Sequence, residues 1–552
     1  MEHKQESFMR GAFVLSVATL ISRILGAFYK PIVARLFAPF DGQLGDAGIG
    51  LTAIPLSSYQ VIISFTSVGF NIAISRLIAE RLALRDTGGA ERVFRTSLWF
   101  MGITGVVGTL LFWLGSPLLA VLSDRPEATP GFIATAPAIL LVSLMAAYRG
   151  LFQGFQRMTP NATSQIYEQG IRVVTGVILV WVFARHSVPL GAAGFNAGDG
   201  VGALAGLIYL LLLYRRSRGY LWSLAPDVAT AAEPDPSPAA NAVQGESTWA
   251  IVKKIVAQSL PISLIGAVLP LIMWTDSVLV IRRLEAAGVS YNVANGDFGR
   301  LSNAFTIVNL PAIITLALYV SLVPAIAEAL TLGNHELARS RSITAFRVTL
   351  LFAIPAALGL YILADPIYSL LFPSTQGGVV LAAMAAGTLF LMVQQTSSGV
   401  LQGAGRLALP VRNLLIALVF KVVLTYWLTG IPGLAVVGAA YATVFTFAVA
   451  AALNVMDVRR EVGSILDWSS MIWKPGAAAL AMTGVVFLGQ AGLVALFHSP
   501  RFAALVMMVV GAGVYGTVLL LTGGLTERDF AMLPRVGQRA ANLLKHWRLL
   551  RT

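Results

Sequence analysis

Apolar and polar positions alternate along this chain in long blocks. Runs of 20 or more apolar residues are broken by short polar stretches at roughly 10–37, 50–78, 95–122, 131–155, 160–184 and 189–214, and again at 253–282, 301–328, 345–371, 378–403, 409–429, 433–456, 471–497 and 501–523. A helix of about 20 apolar residues crosses a hydrocarbon core of about 30 Å, so the pattern predicts fourteen membrane-spanning helices. Stretches such as "VGALAGLIYLLLLY" do not alternate with period two, which argues against a β-barrel. The predicted fold is therefore an all-α polytopic membrane protein. Composition agrees: 57% of the 552 residues are hydrophobic and only 12% are charged, with a mean hydropathy of +0.76, against about 25% charged in soluble domains.

Lys and Arg set the expected topology. With the N-terminus inside, 28 of the 39 basic residues fall on the cytoplasmic side, seven outside (Arg35, Arg125, Arg185, Arg282, Arg283, Arg300, Arg501) and four within spans. The positive-inside rule selects this orientation, with both termini cytoplasmic. The opening "MEHKQESFMR" and the span after it lack a clear small-residue cleavage site, so the first span is read as retained. A net charge of +13 scattered over many short loops points to anionic membrane lipid as partner and not to nucleic acid. With no cysteine there are no disulfides or thiolate metal sites, and the five His are scattered over termini and span ends. No Walker A or HExxH pattern occurs, so neither an enzyme nor a resident cofactor is expected.

The chain repeats itself. Gly150, Gln153, Gly154 and Arg157 of "GLFQGFQRMTP" recur 249 residues later as Gly399, Gln402, Gly403 and Arg406 of "GVLQGAGRLALP". Ile78-Ala79-Glu80 returns as Ile326-Ala327-Glu328 and Arg35-Leu36 as Arg283-Leu284, both at an offset of 248. Each copy holds an even number of spans, so the copies enter the membrane from the same side as parallel repeats, an arrangement suited to alternating access. The expected organisation is an N-terminal six-helix lobe (1–216), a disordered cytoplasmic linker rich in Ala, Pro and acidic residues (217–247), a second lobe (248–460), two further spans (461–523) and a basic cytoplasmic tail (524–552). Small residues four apart, Gly150 with Gly154 and Gly399 with Gly403, predict close helix approach. Gln153 and Gln402 are the motif's side chains able to contact substrate.

Charges inside spans carry the candidate chemistry, because an ionisable group in hydrocarbon is expensive and marks a pathway or a pair. Arg23 and Lys30 lie seven apart on one face of span 1, Arg172 in span 5 and Lys421 in span 11; the acids are Glu168, Asp199 and Asp276. Glu168 and Arg172, four apart, are expected to form an intrahelical pair. A cationic face formed by Arg23 and Lys30 asks for an anionic ligand, with phosphate the group arginine recognises best. The competing expectation is that Arg23 pairs with Glu168 or Asp199 from another helix.

The segments "SRILGAFYKPIVARLFAP" (22–39), "AISRLIAE" (73–80), "GLFQGFQRMTPNATSQIYEQGIRV" (150–173), Asp276 to Leu284 and "SLVPAIAEAL" (321–330) resemble the polysaccharide-export branch of the multidrug/oligosaccharidyl-lipid/polysaccharide flippase superfamily, nearest its stage V sporulation protein B and MurJ-like groups. The resemblance implies a V-shaped pair of six-helix lobes, alternating access, and translocation of an undecaprenyl-diphosphate-linked sugar, lipid II or a related polysaccharide precursor, across the cytoplasmic membrane; the chain is expected to act as a monomer. It implies that spans 13 and 14 form a groove for the lipid tail. It also points to coupling to a sodium or proton gradient or to the membrane potential, with Asp276 in span 7 and Lys421 in span 11 as the candidate positions. Arg23 and Gly26 match the Ser-Arg-x-x-Gly motif of the MurJ-like group, whereas Tyr29 and Lys30 stand where that group has Arg-Asp. A cation-coupled multidrug antiporter of the same superfamily and a non-transporting scaffold for cell-wall synthesis are the alternatives.

Overall fold

A computed structural model describes residues 2–223 and 246–524, apart from 466 and 468. Regular structure among these residues is entirely helical. The first part runs α1 (Glu2–Phe37), α2 (Asp46–Ile63), a π-helical turn (Ser64–Val68), α3 (Gly69–Ala83), α4 (Thr87–Leu114), α5 (Ser116–Leu122), α6 (Thr129–Gly154), α7 (Thr159–Phe183), α8 (Val188–Ser223) and α9 (Thr248–Ala286). There follow α10 (Tyr291–Val308), α11 (Ile313–Thr331), α12 (His335–Ile362), α13 (Ala364–Leu371), α14 (Gly378–Gly403), α15 (Ala408–Thr429), α16 (Val436–Val462), α17 (Lys474–Phe497) and α18 (Pro500–Leu521).

Among the described residues, twelve helices are long and apolar enough to cross a membrane, and thirteen if a bent pair is one span. That pair is α9, whose halves Thr248–Leu264 and Gly266–Ala286 meet at 51°; Pro261 and Pro270 flank the bend, and each removes a helical hydrogen bond. The expected count of fourteen is not confirmed among the described residues, and the difference lies at 301–328. Here the chain leaves the helix at Asn309 to Ala312, around Pro311, and forms α10 and α11 in place of one continuous span. The predicted linker also starts later than 217, because α8 continues to Ser223; the rest of the linker up to 245, and the tail from 525, lie outside the described residues.

Two compact units divide at Gly299 and Arg300. The seventh span, α9, falls in the first unit and packs along α2 and α3, whereas the sequence repeat assigns it to the second lobe. A Cβ at Gly69 of α3 would lie 2.3 Å from the Ser259 carbonyl oxygen of α9, so only glycine permits this approach. Opposite this contact the π-turn loosens the helical ladder. Ser64, Thr66 and Ser67 hydroxyls donate back to the Gln60, Ile62 and Ile63 carbonyls at 2.7, 3.1 and 2.7 Å, satisfying polar groups that hydrocarbon could not. In the second unit α14 packs between α12 and α16, and α17 with α18 attaches along α12, where Tyr515 donates to the Leu351 carbonyl at 2.7 Å.

The repeated motif folds the same way in each unit. After α6 the amides of Gln156 and Arg157 donate to Gln153 and Phe152 carbonyls at 2.9 Å each; after α14 those of Gly405 and Arg406 donate to Gln402 and Leu401 at 2.9 and 2.8 Å. Gln156 (φ 59°) and Gly405 (φ 75°) occupy the same left-handed position. Behind each turn the glycines face a neighbouring helix. A Cβ would lie 2.8 Å from Ile74 at Gly150 and from Ile78 at Gly154, 3.0 Å from Tyr319 at Gly399 and 2.8 Å from Ile326 at Gly403.

Candidate functional site

Span 1 is amphipathic in an unusual sense for a membrane helix. At 3.6 residues per turn, Thr19, Arg23, Gly26 and Lys30 form one narrow stripe, and Val17, Ile21, Ile24 and Phe28 lie on the opposite side. The apolar stripe is exposed and suits hydrocarbon. On the polar stripe Arg23 is exposed and makes no ion pair with any described residue, and Lys30 is half-buried. Nothing lies within 4 Å of where a Cβ at Gly26 would be, so the stripe looks into open space.

Tyr29, the residue before Lys30, fixes how α1 presents that stripe. It is buried, stacks on Phe195 of α8 with ring centroids 4.4 Å apart and planes 6° from parallel, and donates to the Phe195 carbonyl at 3.3 Å. Gly176 of α7 makes the space, since a Cβ there would lie 1.6 Å from the Tyr29 hydroxyl. Thr19 adds a second tie, donating to Gln165 Oε1 of α7 at 3.1 Å.

Helices α7 and α8 meet along glycines at 194, 198, 202 and 206. A Cβ at Gly202 would come within 2.5 Å of the Glu168 carbonyl oxygen and one at Gly198 within 3.0 Å of the Arg172 carbonyl oxygen. This close approach brings Asp199 to Arg172, with Nε and Oδ1 2.8 Å apart. The expected intrahelical Glu168–Arg172 pair does not form. Glu168 instead pairs with Arg149 of α6 at 2.7 Å, a residue held in place by Ser164 at 3.0 Å. The competing pairing of Arg23 with Glu168 or Asp199 is absent too, because both carboxylates face other arginines.

The remaining candidates are more dispersed. Lys421 is fully buried in the second unit and donates to Thr443 Oγ1 at 2.6 Å and to the Ala439 carbonyl at 3.5 Å, both on α16. Asp276, in the first unit, is also buried. Gln402 accepts from the Tyr319 hydroxyl, which ties α14 to α11, and Gln153 is half-buried at the end of α6. A network that the motif search did not find lies nearby. Asp457 of α16 accepts from Arg412 at 2.7 Å and from Asn413 at 2.8 Å, and Asn413 and Asn454 extend the chain of bonds to Ser398 of α14. The glycine ladder of α8 could have been read from spacing. Arg149, Tyr29 and the Asp457 network could not, since each depends on which helices become neighbours.

A sequence model described as "Polysaccharide biosynthesis protein" matches residues 8–330, more than half of the chain. The chain belongs to that family. A second model, MatE, matches residues 299–427. Among similar proteins, "Stage V sporulation protein B" of Bacillus subtilis (strain 168) is 26% identical over 449 residues, covering 80% of this chain and 81% of the relative. "Lipid II flippase MurJ" of the same organism is 24% identical over 539 residues, covering 93% and 94%. Two solved structures share the fold of this chain. "Lipid II flippase MurJ, inward closed conformation" has a TM-score of 0.64 at 15% identity and covers 92% of this chain and 98% of that one. A multidrug resistance MATE family transporter in an inward-facing conformation has a TM-score of 0.63 at 16% identity and covers 81% and 98%. The fold therefore does not separate lipid export from drug export, and the side chains must.

Proposed function

We propose that this protein is a flippase that carries an undecaprenyl-diphosphate-linked sugar across the cytoplasmic membrane by alternating access, with both termini cytoplasmic. The observation that carries the reading is the charge balance around the polar stripe of α1. Asp199 and Glu168 are each matched by an arginine of a neighbouring helix, while Arg23 is exposed and makes no ion pair with any described residue. A surface with an excess cation attracts an anion and repels the cationic drugs an antiporter would bind. A planar guanidinium offers a diphosphate two parallel hydrogen bonds, and the neighbouring Lys30 supplies a second donor one and a half to two turns further along the helix.

Transport needs no bond to be made or broken, and the proposed work of the site is to hold a charged head group where hydrocarbon would reject it. Arg172 is half-buried and held by Asp199, so that pair adds no net charge to the site. The names of the relatives support a lipid-linked glycan as cargo, with lipid II one member of that class. Binding of purified protein to undecaprenyl diphosphate lipid, compared with a lipophilic cationic dye, tests the reading. Saturable binding of the lipid alone is expected; preferential binding of the dye would favour the antiporter.

A further inference from the structure

Helix α4 of the first unit and α12 of the second are the same helix of the repeat: each has 28 residues, and their capping residues Asp86 and Asn334 stand 248 apart. Their lateral faces differ. On α12, Leu351 is buried against Ala478 of α17 and Leu519 of α18. Its counterpart on α4, Ile103, is 55% exposed. Here the bare face is a groove and not a smooth apolar surface. Trp99, Gly102, Ile103, Val106 and Val107 of α4 line it with Leu140 of α6, and it holds about 460 Å³, within the size range of ligand sites. A Cβ at Gly105 would lie 3.0 Å from Leu140, so glycine draws the two helices together behind the groove. Gly102 leaves the floor open, since a Cβ there would touch only Leu144, at 3.8 Å. At 1.5 Å per residue the groove runs about 14 Å along α4, close to the hydrocarbon depth of one leaflet.

One rim of this groove is cationic. Arg92, Arg95, Trp99, Gly102 and Val106 follow one another at steps of three and four residues, so they form a single stripe of α4 with the arginines at its polar end. Both arginines are exposed. Arg95 and Arg218 of α8 share one carboxylate, Glu91, at 2.7 and 3.1 Å, and Arg92 makes no ion pair with any described residue. Three guanidiniums thus stand over one acid. Between them and the groove lies Trp99, 74% exposed, a side chain suited to the level where head groups meet hydrocarbon. The matching occupant carries an anionic head and an apolar chain one leaflet deep. A second copy of this chain docked symmetrically through the same face would set arginine against arginine, which the charges oppose.

We propose that the α4 groove seats an anionic phospholipid, with its phosphate on Arg92 and Arg95 and one acyl chain lying along Gly102 and Val106. The orientation given above makes it a lipid of the inner leaflet. The site is separate from the polar stripe of α1, and the inference does not depend on which cargo that stripe binds. Native mass spectrometry of the full chain in detergent, titrated with phosphatidylglycerol or with phosphatidylcholine of the same acyl chains, tests it. Phosphatidylglycerol should bind more tightly. Arg92→Gln combined with Arg95→Gln should weaken it on the order of tenfold and leave phosphatidylcholine unaffected. Gly102→Leu fills the groove while keeping the arginines, and should weaken phosphatidylglycerol by about tenfold through lost burial of the chain with no fall in the unfolding midpoint; Ile103→Trp, at an exposed position that tolerates bulk, repeats the block from the groove wall. Equal affinity for the two lipids would overturn the proposal. So would loss of binding in the arginine variant with no effect of either groove-filling change, which would reduce the site to surface attraction. Displacement of phosphatidylglycerol by undecaprenyl phosphate would give the groove to the cargo's tail, and a dimer that Gly102→Leu dissociates would give it to a second copy; either result contradicts the assignment.

Discussion

Arg172 reaches from α7 to Asp199 on α8 at 2.8 Å, while Glu168, one turn earlier on α7, is turned away to Arg149 on α6. Neighbouring helices, and not neighbouring turns, settle the partners of these charges. Asp199 is almost fully buried, so Arg172→Ala should lower stability by about 3–5 kcal/mol by stranding a carboxylate. Adding Asp199→Asn should recover most of the loss. Thermal unfolding of the purified protein checks both, and an unchanged Arg172→Ala midpoint would remove the pair from the account.

The glycines of the site divide by what surrounds them. Gly202→Ala should destabilise by about 1–3 kcal/mol, because its methyl would meet the Glu168 backbone and separate α7 from α8. Gly26→Ala meets nothing and should leave the fold intact or favour it by about 0.5–1 kcal/mol through helix propensity. Parallel unfolding curves decide, and the reverse ranking would contradict the packing described for α8.

Asp457 gathers donors from Arg412 and Asn413 in a buried position. Asp457→Leu should cost about 1–3 kcal/mol for each buried donor left without a partner, and Asp457→Asn should cost less because it keeps an acceptor. Equal unfolding midpoints for the two variants would show that the network contributes little.

The asymmetry of 28 inner against seven outer basic residues fixes the expected orientation. A single cysteine at Leu44, in the exposed connection between α1 and α2, should react with an impermeant reagent in intact cells. One at Gly463, after α16, should react only once the membrane is opened. The opposite pattern would invert the topology.

Much of this architecture could be read from the amino-acid pattern, because hydrocarbon enforces long apolar helices and leaves few ways to read the runs. The interruption at Pro311 was hidden inside an apolar run whose hydropathy stays high across it. The position of Arg23 and Lys30 on one face followed from helical periodicity alone. The pairing of Glu168 did not, since an i, i+4 rule sees only one helix and Arg149 arrives from another. The packing role of Tyr29 was not legible for the same reason: it lies in the gap that Gly176 opens for it on α7.

Binding of an undecaprenyl diphosphate lipid to purified protein carrying Arg23→Ala tests the central claim most directly. Arg23 makes no ion pair with any described residue, so its loss should leave the unfolding midpoint unchanged. Affinity should fall on the order of tenfold to a hundredfold with the loss of charge-assisted bonds, and Arg23→Lys should fall between the two because it keeps charge without the bidentate fork. Undiminished lipid binding by a stable Arg23→Ala protein would contradict the account.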